Sequence, residues 1–496
     1  MKTTSTFVWT SGVGDSSVFG GEERSRRAAV CRVLGLRRPV RSRWWASVGG
    51  GQTAPSASRA EGATAVVGDG GAGVATKHAP VHAVDGWPVA ASARAQRTVN
   101  PIRNLVQQVQ LQPNPEKSLI HLSVGDPGAT GYVQPPAYAV RAYAEALRSG
   151  KHHGYTLSTG AAAARAAVAA RYTPPSPAPR LTADDVFLTS GASGALELAL
   201  SGLLNEGDNV LVPVPGFPLV RTIVESLGAT VREYALDADR RWQVETRKLA
   251  RLVDGRTRAI VVNNPSNPCG STWTLKHMRS VVAQAYKLRL PILADEVYAD
   301  MTFKNSRFVS FAAVSEDVPV IVVGGLSKQL AAPGWRLGWV QLHDRGDVLT
   351  RSGYRQGLYQ LSMRMLIPNA VVQAALPVVI GDAPRHLRAV RALMRKLEPN
   401  AQLLMRELEQ RAPAVQCIAP QGAMYLMARV DTTGMSGIDN TMDFCRELWR
   451  EESVSVLPGE CFAASGYIRL VFCVSPETLV EAAQRIGAFC ARRARA

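Results

Sequence analysis

Short apolar runs typical of buried strands alternate with helical segments along the chain from about residue 100 onward. These runs lie at residues 186–190, 210–214, 259–263, 292–297, 320–324 and 337–342. Strands that are apolar on both faces and separated by helices favour a mainly parallel sheet covered on both sides. The alternation therefore predicts an α/β fold, and 496 residues are enough to form a large core.

A long amphipathic segment follows the predicted sheet, from His386 to about Gln410. Such a segment predicts a helix that leads from the sheet domain into a second, smaller domain of mixed α+β structure. We therefore expect an N-terminal extension, an arm that includes part of the small domain, a large domain and a small C-terminal domain. Their expected bounds are residues 1–95, 96–150, 151–384 and 385–496, respectively.

The expected extension differs in composition from the rest of the chain, being rich in Gly, Ala, Ser and Arg. Between Arg24 and Arg59 there are nine arginines and no acid, a composition found in mitochondrial transit peptides. The first twenty residues, however, carry only one cation, Lys2, which favours a disordered extension or a start assigned too far upstream. We expect a cytoplasmic protein, with a mitochondrial location as the alternative if this segment directs import.

The formal charge of +17 raises the question of an anionic partner. The basic residues are scattered, without basic stripes interleaved with aromatics, and no run approaches the ~20 apolar residues of a spanning helix. We therefore expect neither a nucleic acid nor a membrane as partner, but a basic surface suited to small anions. The seven cysteines form no C-x-x-C motif, and H-E-x-x-H is absent, which predicts a reducing compartment and no metal site.

The segment with the most specific chemistry is GGLSK at residues 324–328, which closes an apolar strand. A lysine at the end of a buried strand is costly unless it has a partner or loses its charge. A covalent bond to an aldehyde cofactor removes that charge and is a standard use of a catalytic lysine. Eight residues after Lys328, the planar guanidinium of Arg336 is suited to a phosphate dianion.

Together with PGWRLGW at residues 333–339, this segment resembles the cofactor-lysine signature of class I and II aminotransferases, and especially that of the tyrosine aminotransferase family. The resemblance implies fold type I of the enzymes that depend on pyridoxal 5′-phosphate. That fold has a large domain with a mainly parallel seven-stranded sheet flanked by helices, and a smaller α+β domain. It also implies a homodimer that acts on amino acids and 2-oxo acids. The match runs in unbroken order over about residues 100–490.

Two further segments carry residues that the resemblance assigns to the cofactor ring. A fixed carboxylate keeps a pyridine nitrogen protonated, and in ILADEVY at residues 292–298 this role is implied for Asp295. Glu296 points the opposite way on a strand, which indicates a structural role. The resemblance also implies that Tyr298 and Asn267 donate to the 3′ oxygen of the cofactor, and that Phe217 stacks on its ring.

A strand that runs through small residues into a helix, at residues 189–197, aims backbone N–H groups at an anion. This segment resembles the phosphate-binding turn of the family. The implied phosphate contacts within one subunit are Gly191, Ala192, Ser193, Ser327 and Arg336. Tyr155 is implied to contact the phosphate of the cofactor that the partner subunit binds. The sequence departs from many relatives at two places: Gly194 stands where a glutamine is frequent, and Gly325 stands where a phosphate-binding serine is frequent.

The remaining residues concern the substrate. Arg469, on a short apolar strand, matches the family's bidentate clamp on the α-carboxylate, with Asn267 and Gly125 beside it. Arg364 of a second subunit is a candidate for the side chain of a dicarboxylate, although an ordinary surface or inter-subunit arginine is the alternative. The resemblance implies ping-pong transfer of the amino group of tyrosine, or another aromatic amino acid, to a 2-oxo acid such as 2-oxoglutarate or pyruvate.

In this mechanism Lys328 binds the cofactor and then moves the α-proton of the substrate. Two alternatives on the same scaffold are an alanine aminotransferase and a carbon–sulfur lyase, since one fold hosts many chemistries. A more distant alternative is a regulatory protein that keeps the fold without turnover.

Overall fold

The computed structural model describes residues 89–104, 113–175, 180–365 and 368–494 of the chain. Most of the extension expected at residues 1–95 therefore lies outside the described residues, as do the nine arginines that suggested a transit peptide. Within the described ranges, no helix is both long and apolar enough to cross a membrane. The six cysteines in these ranges are all free.

The strands of the described residues follow the apolar runs of the sequence. In chain order they are β1 (Ile120–His121), β2 (Val186–Thr189), β3 (Asn209–Val214), β4 (Thr230–Asp237), β5 (Gln243–Val244), β6 (Thr257–Asn263), β7 (Ile292–Asp295), β8 (Val320–Gly325), β9 (Gly338–His343), β10 (Val415–Ile418), β11 (Tyr425–Val430), β12 (Val454–Ser455), β13 (Leu457–Pro458) and β14 (Tyr467–Val471). All the runs expected to form the large sheet do so.

Helices separate these strands. In chain order they are α1 (Ala93–Arg97), α2 (Ala137–Arg148), α3 (Ala162–Tyr172), α4 (Gly191–Leu203), α5 (Pro218–Ser226), α6 (Leu275–Leu288), α7 (Phe311–Val314), α8 (Leu326–Gln329), α9 (Val348–Arg351), α10 (Tyr354–Met365), α11 (Ala370–Ile380), α12 (Ala383–Arg411), α13 (Thr441–Glu452) and α14 (Pro476–Arg493).

The large sheet has the order β2-β9-β8-β7-β6-β3-β4-β5. Its central strands β8, β7, β6, β3 and β4 are parallel, whereas β9 runs antiparallel to both neighbours and β5 antiparallel to β4. The expected α/β fold with a mainly parallel sheet is confirmed. The expected seven strands are present as β2, β9, β8, β7, β6, β3 and β4, and the two-residue strand β5 adds an eighth at the edge beside the half-exposed β4.

The central strands are buried on both faces, as their continuous apolar sequence predicts. On β6, Ala259 and Val261 pack toward α4 and α5, whereas Ile260 and Val262 pack toward α6. This alternation follows from the two-residue period of a strand. Because helices cover both faces of this sheet, we expect its functional polar side chains where the strands end.

The long amphipathic segment forms the helix α12, which begins after Asp382. The Asp382 side chain caps the helix by accepting a hydrogen bond from the Arg385 N–H. The apolar face of α12 packs with α13, α14 and a four-stranded antiparallel sheet of order β10-β11-β14-β13. The early strand β1 pairs in parallel with β12, so the segment near Ile120 joins this second core. The domain bounds at residues 150 and 384 remain predictions.

Candidate active site

The carboxyl ends of neighbouring parallel strands meet at one edge of the large sheet, where α/β folds bind their ligands. A cavity of about 560 Å³ lies there. The predicted site residues that line it are Gly125, Ala192, Ser193, Phe217, Asn267, Asp295, Tyr298, Ser327, Lys328, Arg336 and Arg469. The structure thus brings together residues that are more than 340 positions apart in the sequence.

Lys328 lies in the short helix α8, directly after the buried strand β8. Its side chain is half-buried, and its Nζ donates a hydrogen bond to the carbonyl of Gly125. The helix α8 that follows β8 and the loop at Gly125 therefore meet at this amine. An amine that is held at the end of a buried strand and opens into a cavity is suited to nucleophilic chemistry.

Asp295 ends β7 on the same edge of the sheet and is almost fully buried. Its Oδ1 accepts from the N–H of Val297 at 3.2 Å. Burial raises the pKa of Asp295 to about 6, while the Val297 N–H and the charge of Lys328 counteract part of that rise. Because burial disfavours the charged form of this carboxylate, a cationic partner inside the cavity would stabilise it.

Glu296 follows directly but lies away from the cavity. Its Oε1 accepts from the Phe311 N–H at 2.8 Å and from the Ser310 hydroxyl at 3.1 Å. Burial raises the pKa of Glu296 to about 8. The expected strand over residues 292–297 ends earlier, at Asp295, because the chain turns there into the segment that carries Tyr298.

Tyr298 and Asn267 approach the cavity from these turns. Tyr298 is buried, and its hydroxyl lies 2.7 Å from that of Tyr425, a residue that sequence reasoning missed. Burial raises the pKa of Tyr298, and the neighbouring Tyr425 adds to the rise. Asn267 is held by its backbone N–H, which donates to the Asn263 side chain at 2.7 Å.

Arg469 reaches the cavity from β14 of the small sheet and is almost fully buried. Its Nη1 donates to Oδ1 of Asn267 at 2.9 Å, and its Nη2 donates to the carbonyl of Ser123 at 2.6 Å. Its Nε has no hydrogen-bond partner, and burial lowers the pKa of the guanidinium. Among the described residues no carboxylate pairs with it, so a carboxylate ligand would satisfy both its charge and its planar donors.

The other end of the cavity is built by the start of α4 and by Arg336. Gly191 adopts a φ of +71°, and a Cβ placed on it would lie 2.5 Å from Nη2 of Arg336. Arg336 donates to the carbonyls of Ser190, at 3.0 Å, and Pro333, at 2.9 Å. The start of α4 and this guanidinium together form a positive end suited to a phosphate.

Three predicted site residues do not line the cavity: Gly191, Tyr155 and Arg364. Tyr155 is 89% exposed, and Arg364 is exposed on α10. The segments that carry them are adjacent, because the Ser362 hydroxyl donates to that of Ser158 at 3.0 Å. Tyr155 and Arg364 had been predicted to act on the site of a second subunit.

Besides Tyr425, the cavity is lined by residues to which the sequence analysis assigned no role. They are Ile102, Arg103, Ser123, Val124, Asp126, Leu196, Val297 and Pro333. Ile102, Val124 and Leu196 are apolar and could be read from sequence only as ordinary core or surface positions. Leu196 lies on α4, whereas Ile102 belongs to the N-terminal segment and packs against Leu457, Cys461 and Phe462.

Comparison with known proteins agrees with this geometry. The family model "Aminotransferase class I and II" matches residues 117–486. Tyrosine aminotransferase of Mus musculus is 40% identical over 404 residues, which is 82% of this chain and 88% of that protein. The crystal structure of tyrosine aminotransferase from Leishmania infantum has a TM-score of 0.77 and 33% identity, and covers 82% of this chain and 99% of its own.

Alanine aminotransferase from Pyrococcus furiosus has a TM-score of 0.76 at 30% identity, and the match covers 82% of this chain and all of that one. The family match at residues 117–486 covers every strand of both sheets. The expected resemblance to this group of enzymes is confirmed over most of the chain. On this evidence the chain belongs to the class I and II aminotransferases.

Proposed function

We propose that this chain is a pyridoxal phosphate-dependent tyrosine aminotransferase of amino-acid catabolism. It transfers the amino group of tyrosine, and of other aromatic amino acids, to a 2-oxo acid such as 2-oxoglutarate or pyruvate. One observation carries the proposal. One cavity is lined by the amine of Lys328, the buried carboxylate of Asp295 and the buried guanidinium of Arg469.

The residues present fit the cofactor at each of its functional groups. Lys328 would bind its aldehyde carbon, and buried Asp295 would hold its ring nitrogen in the protonated state. The start of α4 and Arg336 form the positive end that a phosphate needs. The remaining assignments are Tyr298 and Asn267 to the 3′ oxygen, Phe217 to the ring face, Gly191, Ala192, Ser193 and Ser327 to the phosphate, and Tyr155 to the phosphate in a second subunit. When bound, the cofactor supplies an electron sink for the pair left on the substrate α-carbon.

The substrate is oriented by the side of the cavity that the four-stranded sheet forms. Arg469 binds the α-carboxylate through two parallel hydrogen bonds, with Asn267 and the loop at Gly125 beside it. This fixes the α-carbon near the amine of Lys328, which removes its proton as a general base and returns it as a general acid. A 2-oxo acid then binds in the same way and runs the steps in reverse, which gives ping-pong kinetics.

The preference for tyrosine is supported by the names of the similar proteins and by the lining of the cavity. Tyrosine aminotransferases of Mus musculus and Dictyostelium discoideum are 40% and 38% identical to this chain. Ile102, Val124 and Leu196 add apolar surface to the cavity, which suits an aromatic side chain. Arg103 in the cavity and Arg364 of a second subunit are the candidate cations for the distal carboxylate of 2-oxoglutarate.

A homodimer is supported by an exposed apolar face around the segments of Tyr155 and α10. Its members Tyr155, Leu157, Tyr359 and Met363 are 89%, 63%, 45% and 50% exposed, respectively. A patch of this kind on a folded chain marks an interaction surface. A second copy related by a two-fold axis would cover it and would bring Tyr155 to the partner's phosphate end.

The test is an absorbance spectrum of the purified protein with added pyridoxal phosphate, for wild type, Lys328→Ala and Lys276→Ala. Lys276 is an exposed lysine outside the cavity and serves as the matched control. Wild type and Lys276→Ala should develop a visible band that tyrosine removes and 2-oxoglutarate restores. Lys328→Ala should lack the band and lose at least about a thousand-fold in activity.

Substrate preference is tested in the same experiment with tyrosine, phenylalanine, alanine and aspartate as donors. The proposal requires tyrosine to give the highest kcat/KM of the four. A higher value for alanine would replace the tyrosine assignment with an alanine aminotransferase. A visible band that no amino acid removes would contradict transamination altogether.

A further inference from the structure

The cavity has two walls: one is formed by the eight-stranded sheet and the turn that carries Tyr298, and the other by the four-stranded sheet that carries Arg469. Tyr425 connects these two walls. It begins β11 and pairs with Val471 of the antiparallel strand β14, on which Arg469 lies two residues earlier. Residues two apart on a strand share a face, so Tyr425 and Arg469 are diagonal neighbours within reach of each other. The guanidinium carbon of Arg469 lies 4.4 Å from the centre of the Tyr425 ring.

A second ring covers the same guanidinium. The guanidinium carbon lies 5.0 Å from the centre of the Phe462 ring. Tyr425 and Phe462 are each almost fully buried, so these cation–π contacts occur away from solvent, where they are strongest. Arg469 is therefore held by aromatic rings as well as by its hydrogen bonds to Asn267 and Ser123.

The hydroxyl of Tyr425 points toward the other wall. It lies 2.7 Å from the hydroxyl of Tyr298, and the two rings meet edge to face at 84°. A Cβ placed on Gly125 would lie 2.5 Å from the Tyr425 hydroxyl, so glycine at 125 leaves room for this contact. Besides Tyr425, the charged and titratable groups that face Tyr298 are Asp295 and Arg469.

We propose that Tyr425 is a positioning residue for both walls: its hydroxyl fixes the phenol of Tyr298, and its ring fixes the guanidinium of Arg469. The inference rests on the proposed function, in which Tyr298 donates to the cofactor 3′ oxygen and Arg469 binds the substrate carboxylate. Because the Tyr298 hydroxyl donates its hydrogen bond to that oxygen, it accepts a hydrogen bond from the Tyr425 hydroxyl. Consecutive hydrogen bonds of this kind strengthen each other in a buried site.

The two contributions can be separated, because one depends on the hydroxyl and the other on the ring. Tyr425→Phe removes only the hydroxyl, which weakens the donation from Tyr298 to the negative 3′ oxygen. The pH at which the visible band of the cofactor-loaded enzyme changes should therefore rise by about 0.5 units. The Kd of 3-phenylpropionate, a carboxylate that cannot react, should stay within about twofold of wild type in calorimetric titration.

Phe462→Leu is the matched control, since it removes a ring from Arg469 but no hydroxyl from Tyr298. It should raise the Kd of 3-phenylpropionate about fivefold and leave the pH of the spectral change where it is in wild type. Tyr425→Leu removes both features and should show both effects. Thermal unfolding of each variant checks that the chain folds.

The outcomes separate the inference from the function on which it rests. If wild type forms the visible band and Tyr425→Phe titrates at the wild-type pH, the hydroxyl has no positioning role and the inference is overturned. The same holds if Tyr425→Leu binds 3-phenylpropionate as tightly as wild type. If wild type forms no visible band at all, the proposed function fails, and the cofactor half of the inference fails with it.

Discussion

The wall of the cavity formed by the eight-stranded sheet and the wall formed by the four-stranded sheet are built in different ways. On the first, Asn267 and Lys328 follow the parallel strands β6 and β8, and Asp295 ends the strand β7 between them. Each is positioned by its own segment, at an edge where the fold collects strand ends. On the second, Tyr425 and Arg469 lie within antiparallel strands and meet through cross-strand register.

The two walls also differ in how their charges are balanced. Asp295 lies close enough to Lys328 for the lysine charge to oppose part of the rise in its pKa. Among the described residues, the hydrogen-bond and cation–π partners of Arg469 are an amide oxygen, a carbonyl and two aromatic rings. The first wall thus holds groups of both signs, which suits a cofactor with several functional groups. The second holds a single buried cation, which suits the carboxylate common to all amino acids and 2-oxo acids.

The largest effect is expected on the first wall, from Asp295→Asn. An amide cannot keep the ring nitrogen of the cofactor protonated, so kcat should fall about a thousand-fold. Without cofactor, the same variant should be more stable than wild type above about pH 6. Burial raises the pKa of Asp295 from 3.8 to about 6, so wild type loses stability as pH rises through that window. The gain is about 3 kcal/mol above it and vanishes below about pH 4, as measured by thermal or urea unfolding.

Glu296→Gln is the control for that variant, since it removes the neighbouring buried charge on the other side of the chain. Burial raises the pKa of Glu296 from 4.5 to about 8, so the gain in stability should grow across that range. The activity should remain within about threefold of wild type, because Glu296 does not line the cavity. A loss of activity as large as that of Asp295→Asn would show that the two acids act together.

The next effect is expected on the second wall, from Arg469→Lys. A lysine keeps the charge but cannot form two parallel hydrogen bonds to a carboxylate, and it leaves Asn267 and Ser123 without their donor. We expect kcat/KM for tyrosine to fall about a hundred-fold, mostly through KM. The control is Arg429→Lys, a more exposed arginine of the same sheet that pairs with Asp239. A fall in kcat with KM unchanged would contradict the assignment of Arg469 to ground-state binding.

The difference between the walls also explains what could be predicted from the sequence. The apolar runs identified six strands of the large sheet, and the resemblance assigned roles to Lys328, Asp295 and Asn267 near their ends. Local pattern was enough to expect these residues close together, because parallel strands bring their ends together. Strands β4 and β5 were missed because β4 is half-exposed and β5 is two residues long.

Residues of the second wall are harder to predict. Arg469 was identified by resemblance, but Tyr425 was not, because its contact with Arg469 depends on the register of two strands separated by more than 35 residues. Tyr155 and Arg364 lie outside the cavity, and the roles predicted for them require a second chain, which no pattern within one chain can position. The local pattern therefore predicts where strands end, and cross-strand or inter-subunit packing decides the rest.

The smallest effect is expected at Gly191, where the first wall depends on backbone conformation alone. Its φ of +71° and the 2.5 Å between an added Cβ and Nη2 of Arg336 mean that Gly191→Ala must displace the guanidinium. We expect about tenfold weaker binding of pyridoxal phosphate in a spectral titration, with kcat at saturating cofactor near that of wild type. Gly194→Ala is the control, because the nearest atom to its added Cβ is 3.4 Å away and the helix tolerates alanine. If both variants bind the cofactor as wild type does, the phosphate end does not depend on Arg336. If only Gly191→Ala is weakened, a single local conformation sets this end of the first wall, in contrast to the cross-strand register that sets the second.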